Sequence, residues 1–373
     1  MNDRYQRHSL IDWFSLDKVR SMSIAVVGAG AIGNEVIKNL VLLGVGNVDI
    51  YDQDIIEEHN LTRSVLFRSE DIGRGKAEVA AMRARELDES VRIDYFHGDV
   101  WEQLNLSQLS KYSALISCVD NFESRLKLNE MCLLVKTDFI NTGIDSRYAS
   151  IEFYPYRSSA VSGCYECGLP DTVYEQMSKR YSCGWLKRVA VTEKKIPTTI
   201  ITSSLAGSLA ASAALRLGQG DYYANNFKII LDSITHNMTR FKVTHNQECP
   251  TCNIPSTRLL IQGNASIQSN LMNILAEDTS ISLRTSDPLI TSASCKHGCG
   301  PLNISFPARS RDFTELLQIC PVCEDTSVEI KIEDQFTVHN LYKYHLLKKL
   351  PCKYITANID DICYVINLEA CLI

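Results

Sequence analysis

The sequence has no excess of positive charge and no apolar segment near its start. Its 38 Lys and Arg are outnumbered by 44 Asp and Glu, which gives a formal net charge of −6. This balance argues against general polyanion binding, so we do not expect nucleic acid as the main partner. Charged residues are scattered through Met1–Phe14, where a secretory signal would need an apolar stretch. We therefore expect a cytoplasmic protein.

One long run, 196–215, lacks charge altogether. It contains so many Thr, Ser, Ala and Gly residues that its hydropathy is too low for a confident membrane span. The run predicts a buried helix, and we expect no membrane partner.

Internal repeats, low-complexity tracts and Pro-rich linkers are also absent. With 373 residues, the chain exceeds what one hydrophobic core usually organises. Alternation of strand and helix weakens beyond about residue 255, close to a predicted boundary at 254–258. We therefore expect two domains, 1–255 and 256–373, packed together rather than loosely linked.

The first domain opens with an alternating pattern. A β-branched run at 23–28 predicts a buried strand, a turn of the form GxGxxG spans 28–33, a helix follows at 34–43, and a second strand at 47–52 ends in Asp52. Further strands are predicted at 92–96, 114–118 and 139–142, and helices at 76–87 and 123–136. This order predicts an α/β, Rossmann-like fold with a parallel sheet covered on both faces, followed by a smaller α+β domain.

The glycine turn alone does not identify the ligand, because the same turn serves several nucleotides. Polar and basic residues follow Asp52 in one stretch, and this set suits triphosphate oxygens better than nicotinamide. It comprises Asp54, Asn60, Arg63 and Lys76. Asp120 and Asn121 follow the strand predicted at 114–118, at the carboxyl end where open α/β sheets bind ligands.

Fourteen cysteines in a cytoplasmic chain point to metal ligation or thiol chemistry before disulfides. Two CxxC pairs form a first group: Cys164, Cys167, Cys249 and Cys252. A CxxxC pair and a CxxC pair with zinc-ribbon spacing form a second: Cys295, Cys299, Cys320 and Cys323. His297 lies inside the second group and is an alternative ligand there. Four free buried thiols are the competing interpretation of the first group.

The chain resembles the ThiF/MoeB/ubiquitin-activating superfamily of adenylating enzymes over residues 4–255. The resemblance implies a nucleotide site made of Gly28, Gly30, Gly33, Asp52 (ribose), Asp54, Asn60, Arg63 and Lys76 (triphosphate), and Asp120 (Mg²⁺). Asn121 is a further candidate for cofactor binding. The opening Arg4-Tyr-Gln-Arg7-His matches a motif whose second arginine reaches the nucleotide of a partner subunit, so a homodimer is expected. Ser64 departs from the family, which commonly has Gln there.

The resemblance also implies structural zinc at the first cysteine group and an acceptor cysteine on a crossover loop, where Cys183 stands. Arg180, Lys187 and Arg188 are near it in sequence and would raise its thiolate fraction. A loop cysteine without a role is the competing interpretation. Cys118 and Cys132 fall in apolar patterns and are expected in the core.

The sequence therefore predicts an ATP- and Mg²⁺-dependent enzyme that adenylates the C-terminal carboxylate of a ubiquitin-like protein. Cys183 would take the acyl group as a thioester and pass it to a conjugating enzyme. The catalytic residues would be Cys183, Arg63, Lys76 and Arg7. The C-terminal domain, which resembles that of bacterial activating enzymes, would bind zinc and dock a partner.

Three alternatives remain open at this stage. One is MoeB/ThiF-like adenylation of a sulfur-carrier protein, although such chains commonly end soon after the second CxxC pair. Another is a peptide-modifying adenylase without a thioester, although such enzymes often carry an N-terminal peptide clamp. An inactive scaffold would predict damaged ATP residues, and none is visible.

Overall fold

The computed structural model describes residues 3–157, 163–170, 172–173, 197–220, 226–255, 257–261, 278, 281–300, 308–309, 320, 322–324, 328–339 and 352–368. The chain divides into two compact units. The first unit comprises Met1–Pro170 and Lys195–Asn253, and the second comprises Asp171–Lys194 and Ile254–Ile373.

The first unit is built on an eight-stranded sheet. Its strands are β1 (Ser23–Val27), β2 (Asn47–Asp52), β3 (Arg92–His97), β4 (Ala114–Ser117), β5 (Asp138–Ile144), β6 (Tyr148–Tyr154), β7 (Phe227–Asp232) and β8 (Met238–Phe241). Its helices are α1 (Leu16–Arg20), α2 (Ala31–Leu43), α3 (Lys76–Leu87), α4 (Val100–Gln103), α5 (Leu106–Leu109), α6 (Phe122–Val135) and α7 (Ile200–Gln219). Short 3-10 helices occur at Asp3–Tyr5, His8–Leu10, Glu58–Asn60, Ser69–Asp71 and Glu166–Gly168.

The strand order is β3-β2-β1-β4-β5-β6-β7-β8. Strands β3 to β5 pair in parallel, and β6, β7 and β8 continue the sheet in antiparallel register. The α/β fold class with a parallel-rich sheet is confirmed. The antiparallel part begins at β6, because β5 reaches β6 through a short turn rather than a crossover helix. The order reverses between β1 and β4, where open α/β sheets form a ligand-binding crevice.

Helix α2 is predominantly apolar and begins at Ala31, within the glycine motif 28–33. It ends at Gly44, whose left-handed backbone (φ 82°) lets its N–H reach the carbonyls of Leu40 and Val41. Most of the helix is buried in the core of the first unit. The glycine turn is therefore anchored from both sides, by β1 and by α2.

Helix α7 is long and apolar enough to span a membrane by length and composition alone. It packs against α2, β5 and β6 in the first unit, and 56% of its most apolar window is buried there. The expectation of a buried helix is met by these contacts.

The second unit contains a six-stranded sheet in its described part. Its strands are β9 (Thr257–Ile261), β10 (Ser282–Cys295), β11 (Ala308–Arg309), β12 (Val328–Thr337), β13 (Tyr354–Ile359) and β14 (Ile362–Asn367). All pairs are antiparallel except β14 with β9. Buried apolar residues of β10, β13 and β14 form one cluster in this unit.

Candidate functional site

Two glycines of the turn after β1 are required by the protein's own packing. Gly28 has a φ of +96°, and a Cβ there would lie 2.7 Å from the carbonyl oxygen of Cys118. A Cβ at Gly33 would lie 1.9 Å from the carbonyl oxygen of Gly28. The absence of both side chains brings the turn, the start of α2 and the end of β4 together.

Gly30 differs, because no heavy atom lies within 4 Å of the position its Cβ would occupy. Its backbone angles (φ −75°, ψ −153°) are extended and do not require glycine. The missing side chain therefore leaves an open space above the turn, next to the N-terminus of a 13-residue helix. Such a space suits phosphate oxygens, because free N–H groups and the positive end of the helix dipole face it.

Asp52 closes the side of the turn at the end of β2. One carboxylate oxygen accepts a hydrogen bond from the Ala29 N–H (2.6 Å), and the other accepts from the Asp54 N–H (2.8 Å). Burial raises the pKa of Asp52, while these hydrogen bonds and the nearby Lys76 ammonium oppose that shift. The carboxylate is thus held rigidly at the carboxyl edge of the sheet.

Lys76 is the first residue of α3, and its side chain is only 12% exposed. The Lys76 Nζ forms an ion pair with the Asp54 carboxylate at 2.8 Å. The Lys76 backbone N–H donates to the Asp54 carbonyl oxygen at 2.9 Å. The Asp54 side chain is 59% exposed. Two predicted triphosphate residues are therefore in contact, with the cation sheltered and the anion accessible.

Asn60 and Arg63 lie in the turn that follows the 3-10 helix at 58–60. The buried Asn60 amide oxygen accepts from the Glu57 N–H at 2.9 Å, and the Arg63 N–H donates to the Asn60 carbonyl oxygen at 3.1 Å. The half-buried Arg63 donates from Nη1 to the His59 carbonyl oxygen at 3.0 Å. Ser64, the departure from the family pattern, is buried immediately after them.

Asn34 connects this turn to the glycine turn, and sequence analysis missed it. Its side chain is fully buried. It donates to the carbonyl oxygens of Ala29 (2.7 Å) and Gly30 (3.0 Å) and accepts from the Leu66 N–H (2.9 Å). The sequence signal for it was weak, because α2 also contains the polar residues Glu35, Lys38 and Asn39.

Asp120 is exposed in the loop after β4, next to the residues that approach Gly28. Asn121 caps helix α6, because its side-chain oxygen accepts from the Ser124 N–H at 2.8 Å. Arg125, a residue that sequence analysis missed, donates from Nη2 to the Val119 carbonyl oxygen at 2.6 Å. The loop is therefore fixed from both ends, while the Asp120 carboxylate remains accessible.

The opening motif splits into an anchor and an exposed arginine. Tyr5 is buried and donates to the Asp88 carboxylate, which also pairs with Arg4 Nε at 3.0 Å. Arg7 is exposed, and among the described residues none forms a hydrogen bond or ion pair with its guanidinium. The structure thus does not bring Arg7 to the nucleotide residues of its own chain.

The four cysteines of the first group lie together in the first unit, with all sulfurs within 4.8 Å of one another. Neighbouring sulfurs are 3.6 Å apart (Cys164 and Cys249) and 3.2 Å apart (Cys167 and Cys252). Tetrahedral zinc with bonds of about 2.3 Å places its sulfurs about 3.8 Å apart, so the set fits a closed zinc site. The hydrogen bond between Cys164 and Cys167 raises the pKa of Cys164 and lowers that of Cys167.

The second group forms a separate cluster in the second unit, again with all sulfurs within 4.8 Å. Cys295 and Cys320 are buried, whereas Cys323 is exposed. His297 donates its backbone N–H to Cys295 Sγ at 3.4 Å. The donor set is four thiols, which zinc prefers, and one of them faces solvent.

Cys183 and its basic neighbours Arg180, Lys187 and Arg188 lie outside the residues that the structure describes. Cys118 and Cys132 are accounted for: burial raises the pKa of Cys118 to about 12 and that of Cys132 well above its ordinary value. Both thiols stay protonated near neutrality, which makes them poor nucleophiles.

The gathered residues fit ATP with Mg²⁺. The space at Gly30 would take phosphate oxygens, Lys76 and Arg63 would supply cations, and the exposed Asp120 would supply an oxygen ligand for Mg²⁺. Hydrogen bonds through Asn34 and Asp52 join the glycine turn to the loop after β2 and to the turn near Arg63.

The chain is similar to several known proteins. The chain is 34% identical over 169 residues to SUMO-activating enzyme subunit 2 of Dictyostelium discoideum, covering 45% of this chain but only 25% of that protein. It is 28% identical over 268 residues to a sulfur carrier protein adenylyltransferase of Thermus thermophilus, covering 69% of this chain and 94% of that protein. The crystal structure of E. coli MccB with ATP has a similar fold, with a TM-score of 0.56 and 21% identity over 68% of this chain and 74% of that one.

The ThiF family model matches residues 5–251, which include the glycine turn, Asp52, Lys76, Asp120 and three of the four cysteines of the first group. This match covers most of the chain and ends one residue before Cys252. The chain belongs to the ThiF family.

Proposed function

We propose that this chain adenylates the C-terminal carboxylate of a ubiquitin-like protein with ATP and then carries the acyl group as a thioester. The observation that carries the proposal is the glycine turn, which has open space at Gly30 and is hydrogen-bonded through Ala29 to Asp52, which in turn contacts the Lys76–Asp54 pair. Family membership and the relatives that activate SUMO or a sulfur carrier support the same first step.

In the first step, a carboxylate oxygen of the partner attacks the α-phosphorus of ATP. The bond from that phosphorus to the bridging oxygen breaks, which gives an acyl-adenylate and pyrophosphate. Two anions repel, so the step needs cations that neutralise charge as it spreads over the phosphates. Lys76 would leave Asp54 for a phosphate oxygen, Arg63 and Arg7 would add charge, and Asp120 would hold Mg²⁺.

In the second step, the Cys183 thiolate attacks the carbonyl carbon of the acyl-adenylate. The carbon–oxygen bond to AMP breaks, AMP leaves, and the thiol proton goes to solvent. Transfer to the thiol of a conjugating enzyme would follow by thioester exchange. Arg180, Lys187 and Arg188 would favour the thiolate.

The remaining assignments extend the proposal. Residues 1–255 would be the adenylation domain and 256–373 a zinc-containing docking domain for one of the partners. Both four-cysteine groups would hold structural zinc, since neither leaves an open ligand position for catalysis. Exposed Arg7 would serve the site of a second copy in a homodimer, and the enzyme would work in the cytoplasm.

A second candidate is adenylation of a sulfur-carrier protein. The observation that favours it is the match to the Thermus adenylyltransferase across 94% of that protein. This candidate shares the first step and differs in what happens to the acyl-adenylate, because no thioester on Cys183 is required.

Intact-mass spectrometry separates the two. The protein is co-expressed with the small proteins encoded beside it, given MgATP, and measured before and after dithiothreitol. The variants are Cys183→Ala and, as a matched control, Cys371→Ala, another single cysteine. We expect a thiol-labile adduct of one partner mass in the wild type and in Cys371→Ala, and none in Cys183→Ala.

Pyrophosphate release without any adduct would overturn the thioester step and favour the sulfur carrier or a modified peptide. Absence of ATP–pyrophosphate exchange with every carboxylate partner would overturn adenylation itself.

A further inference from the structure

Helix α6 contacts the first cysteine group as well as the Asp120 loop. Its buried residue Asn129 accepts a hydrogen bond from the Tyr165 N–H at 3.1 Å. Tyr165 stands between the cysteines of the first CxxC pair. Asn129 also accepts from the hydroxyl of Tyr156, so its amide oxygen has two donors. The CxxC backbone is thereby tied to the middle of α6.

The Asn129 amide nitrogen has no hydrogen-bond partner among the described residues, although the side chain is fully buried. Burying an unpaired polar group costs free energy, which an apolar side chain at this site would avoid. The two bonds to the amide oxygen therefore explain why a polar residue stands here.

Arg125 lies one helical turn before Asn129, on the same face of α6. Its guanidinium donates to the Val119 carbonyl oxygen at 2.6 Å, directly before Asp120, and to the Asn141 amide oxygen on β5 at 3.4 Å. The loop and the CxxC pair are thus attached to adjacent turns of one helix. A short helical segment is stiff, so a shift at one attachment moves the other.

We propose that α6 couples metal occupancy of the first cysteine group to the position of Asp120, with Asn129 and Arg125 as positioning residues. The inference rests on the proposed function where it assigns Asp120 to Mg²⁺. Zinc bound by the four sulfurs would hold the CxxC backbone in one position. The hydrogen bond from Tyr165 to Asn129 would then position α6, and Arg125 would position the Asp120 loop. The site would then bind the divalent cation in a preformed geometry.

Binding of Mn²⁺ as a substitute for Mg²⁺ tests this without catalysis. Electron paramagnetic resonance measures bound Mn²⁺ in the presence of a non-cleavable α,β-methylene ATP analogue. We expect Asn129→Ala and Arg125→Gln to weaken Mn²⁺ binding roughly fivefold or more at unchanged zinc content. Arg125→Lys, which keeps the charge and one donor, should recover part of the loss. Glu130→Gln is the matched control, because the one ion pair of Glu130 within the described part of the chain is with Lys127 of the same helix.

Coupling between two binding sites is reciprocal. Mn²⁺ with the analogue should therefore strengthen zinc binding, measured as retention against a chelator, by the factor by which zinc strengthens Mn²⁺ binding. This protection should be present in the wild type and in Glu130→Gln and lost in both positioning variants. If Asn129→Ala does not fold, Tyr156→Phe is used in its place, because this variant removes one of the two hydrogen-bond donors to the Asn129 amide oxygen.

The inference would be overturned, and the proposed function left standing, by either of two results. One is an Arg125→Gln variant that binds Mn²⁺ as tightly as the wild type, and the other is wild-type zinc retention that does not change when Mn²⁺ and the analogue are added. A wild-type protein that binds no Mn²⁺ with the analogue would overturn the proposed function together with it.

Discussion

At the residue scale, the glycine turn shows two different uses of a missing side chain. At Gly28 and Gly33 the protein's own backbone fills the space, whereas at Gly30 nothing does. The first two are explained by folding alone, whereas the packing of the protein does not require a glycine at the third. The difference is measurable, because one kind of substitution should damage folding and the other binding.

We expect Gly33→Ala to lower the free energy of unfolding by about 1–3 kcal/mol, because its Cβ would overlap the Gly28 carbonyl. Gly30→Ala should change stability by less than about 0.5 kcal/mol yet weaken ATP binding roughly tenfold, because the methyl group occupies the open space. Urea unfolding and calorimetric titration with ATP measure the two effects. Normal ATP binding by Gly30→Ala would contradict the assignment of the phosphate site.

Asp138 at the start of β5 is a buried acid whose stability contribution depends on pH. Burial raises its pKa to about 6, although the Arg157 N–H and charge oppose this. The folded protein therefore holds the proton more tightly than the unfolded chain, whose carboxyl titrates near 3.8. Stability should fall as pH rises from about 4 through about 6, by at most about 3 kcal/mol.

Asp138→Asn keeps the oxygen that accepts from the Arg157 N–H and removes the charge. Its unfolding free energy should be flatter than the wild type's between pH 4 and pH 7 and higher at pH 7. Asp94→Asn, on the exposed pair with Arg92, is the control. The unfolding free energy is measured by urea unfolding at each pH. If it falls with rising pH as steeply in Asp138→Asn as in the wild type, a group other than Asp138 causes the pH dependence.

At the element scale, α2 and α7 approach closely because small residues line their contact. A Cβ added at Gly207 would lie 2.4 Å from the Glu35 Cβ. The buried Glu35 carboxylate accepts a hydrogen bond from Ser204 Oγ at 3.0 Å and pairs with Lys38. The helix that begins at the glycine turn is therefore held by α7, so α7 indirectly supports the nucleotide site.

Replacing glycine by alanine inside a helix ordinarily stabilises it by about 1 kcal/mol. For Gly207→Ala we expect the opposite sign, a loss of about 1–3 kcal/mol, because the two helices would have to separate. Ser208→Ala, on the exposed side of the same helix, should change stability by less than about 0.5 kcal/mol. A stabilised Gly207→Ala variant would contradict the close packing.

At the scale of the whole molecule, exposed Arg7 leads to an experiment on mixed dimers. Arg7→Ala and Lys76→Ala should each slow adenylation severely. If Arg7 acts across a dimer interface, re-assorting the two variants yields mixed dimers with one intact site each, so about a quarter of wild-type activity should return. Pyrophosphate release measures it. No recovery on mixing would show that Arg7 does not act in trans.

The two cysteine groups should together hold two zinc ions per chain and differ in how easily they lose them. Cys323 is exposed in the second group, whereas Cys164 and Cys249 are buried in the first. We expect a chelator to remove the second ion first, and Cys323→Ser to leave about one zinc per chain with the first unit folded. Cys249→Ser should lower the melting temperature as well. Zinc content per chain, measured by mass spectrometry, and melting curves show which group loses its zinc first. Loss of zinc from the first group before the second would contradict this prediction.

Most of the parallel half of the first sheet was predictable from local pattern. The β-branched runs, the glycine turn and the acid at the end of β2 follow one another in an order typical of α/β folds. Strands β1 to β5 and helices α3 and α6 lie close to their predicted bounds. Strands β6 to β8 were missed. Strand β6 pairs with β7, which lies more than 70 residues further along the chain, and no local pattern indicates such a pairing.

The sequence by itself determined the family, the α/β class and the spacing of both cysteine groups, because each of these resides in residue types at short separations. The tertiary structure alone decided that Asn34 joins the glycine turn to the Arg63 turn, that Asn129 and Arg125 attach two sites to one helix, and that Gly30 faces open space. Such contacts depend on where distant backbone groups come to lie, and a local pattern carries no information about that.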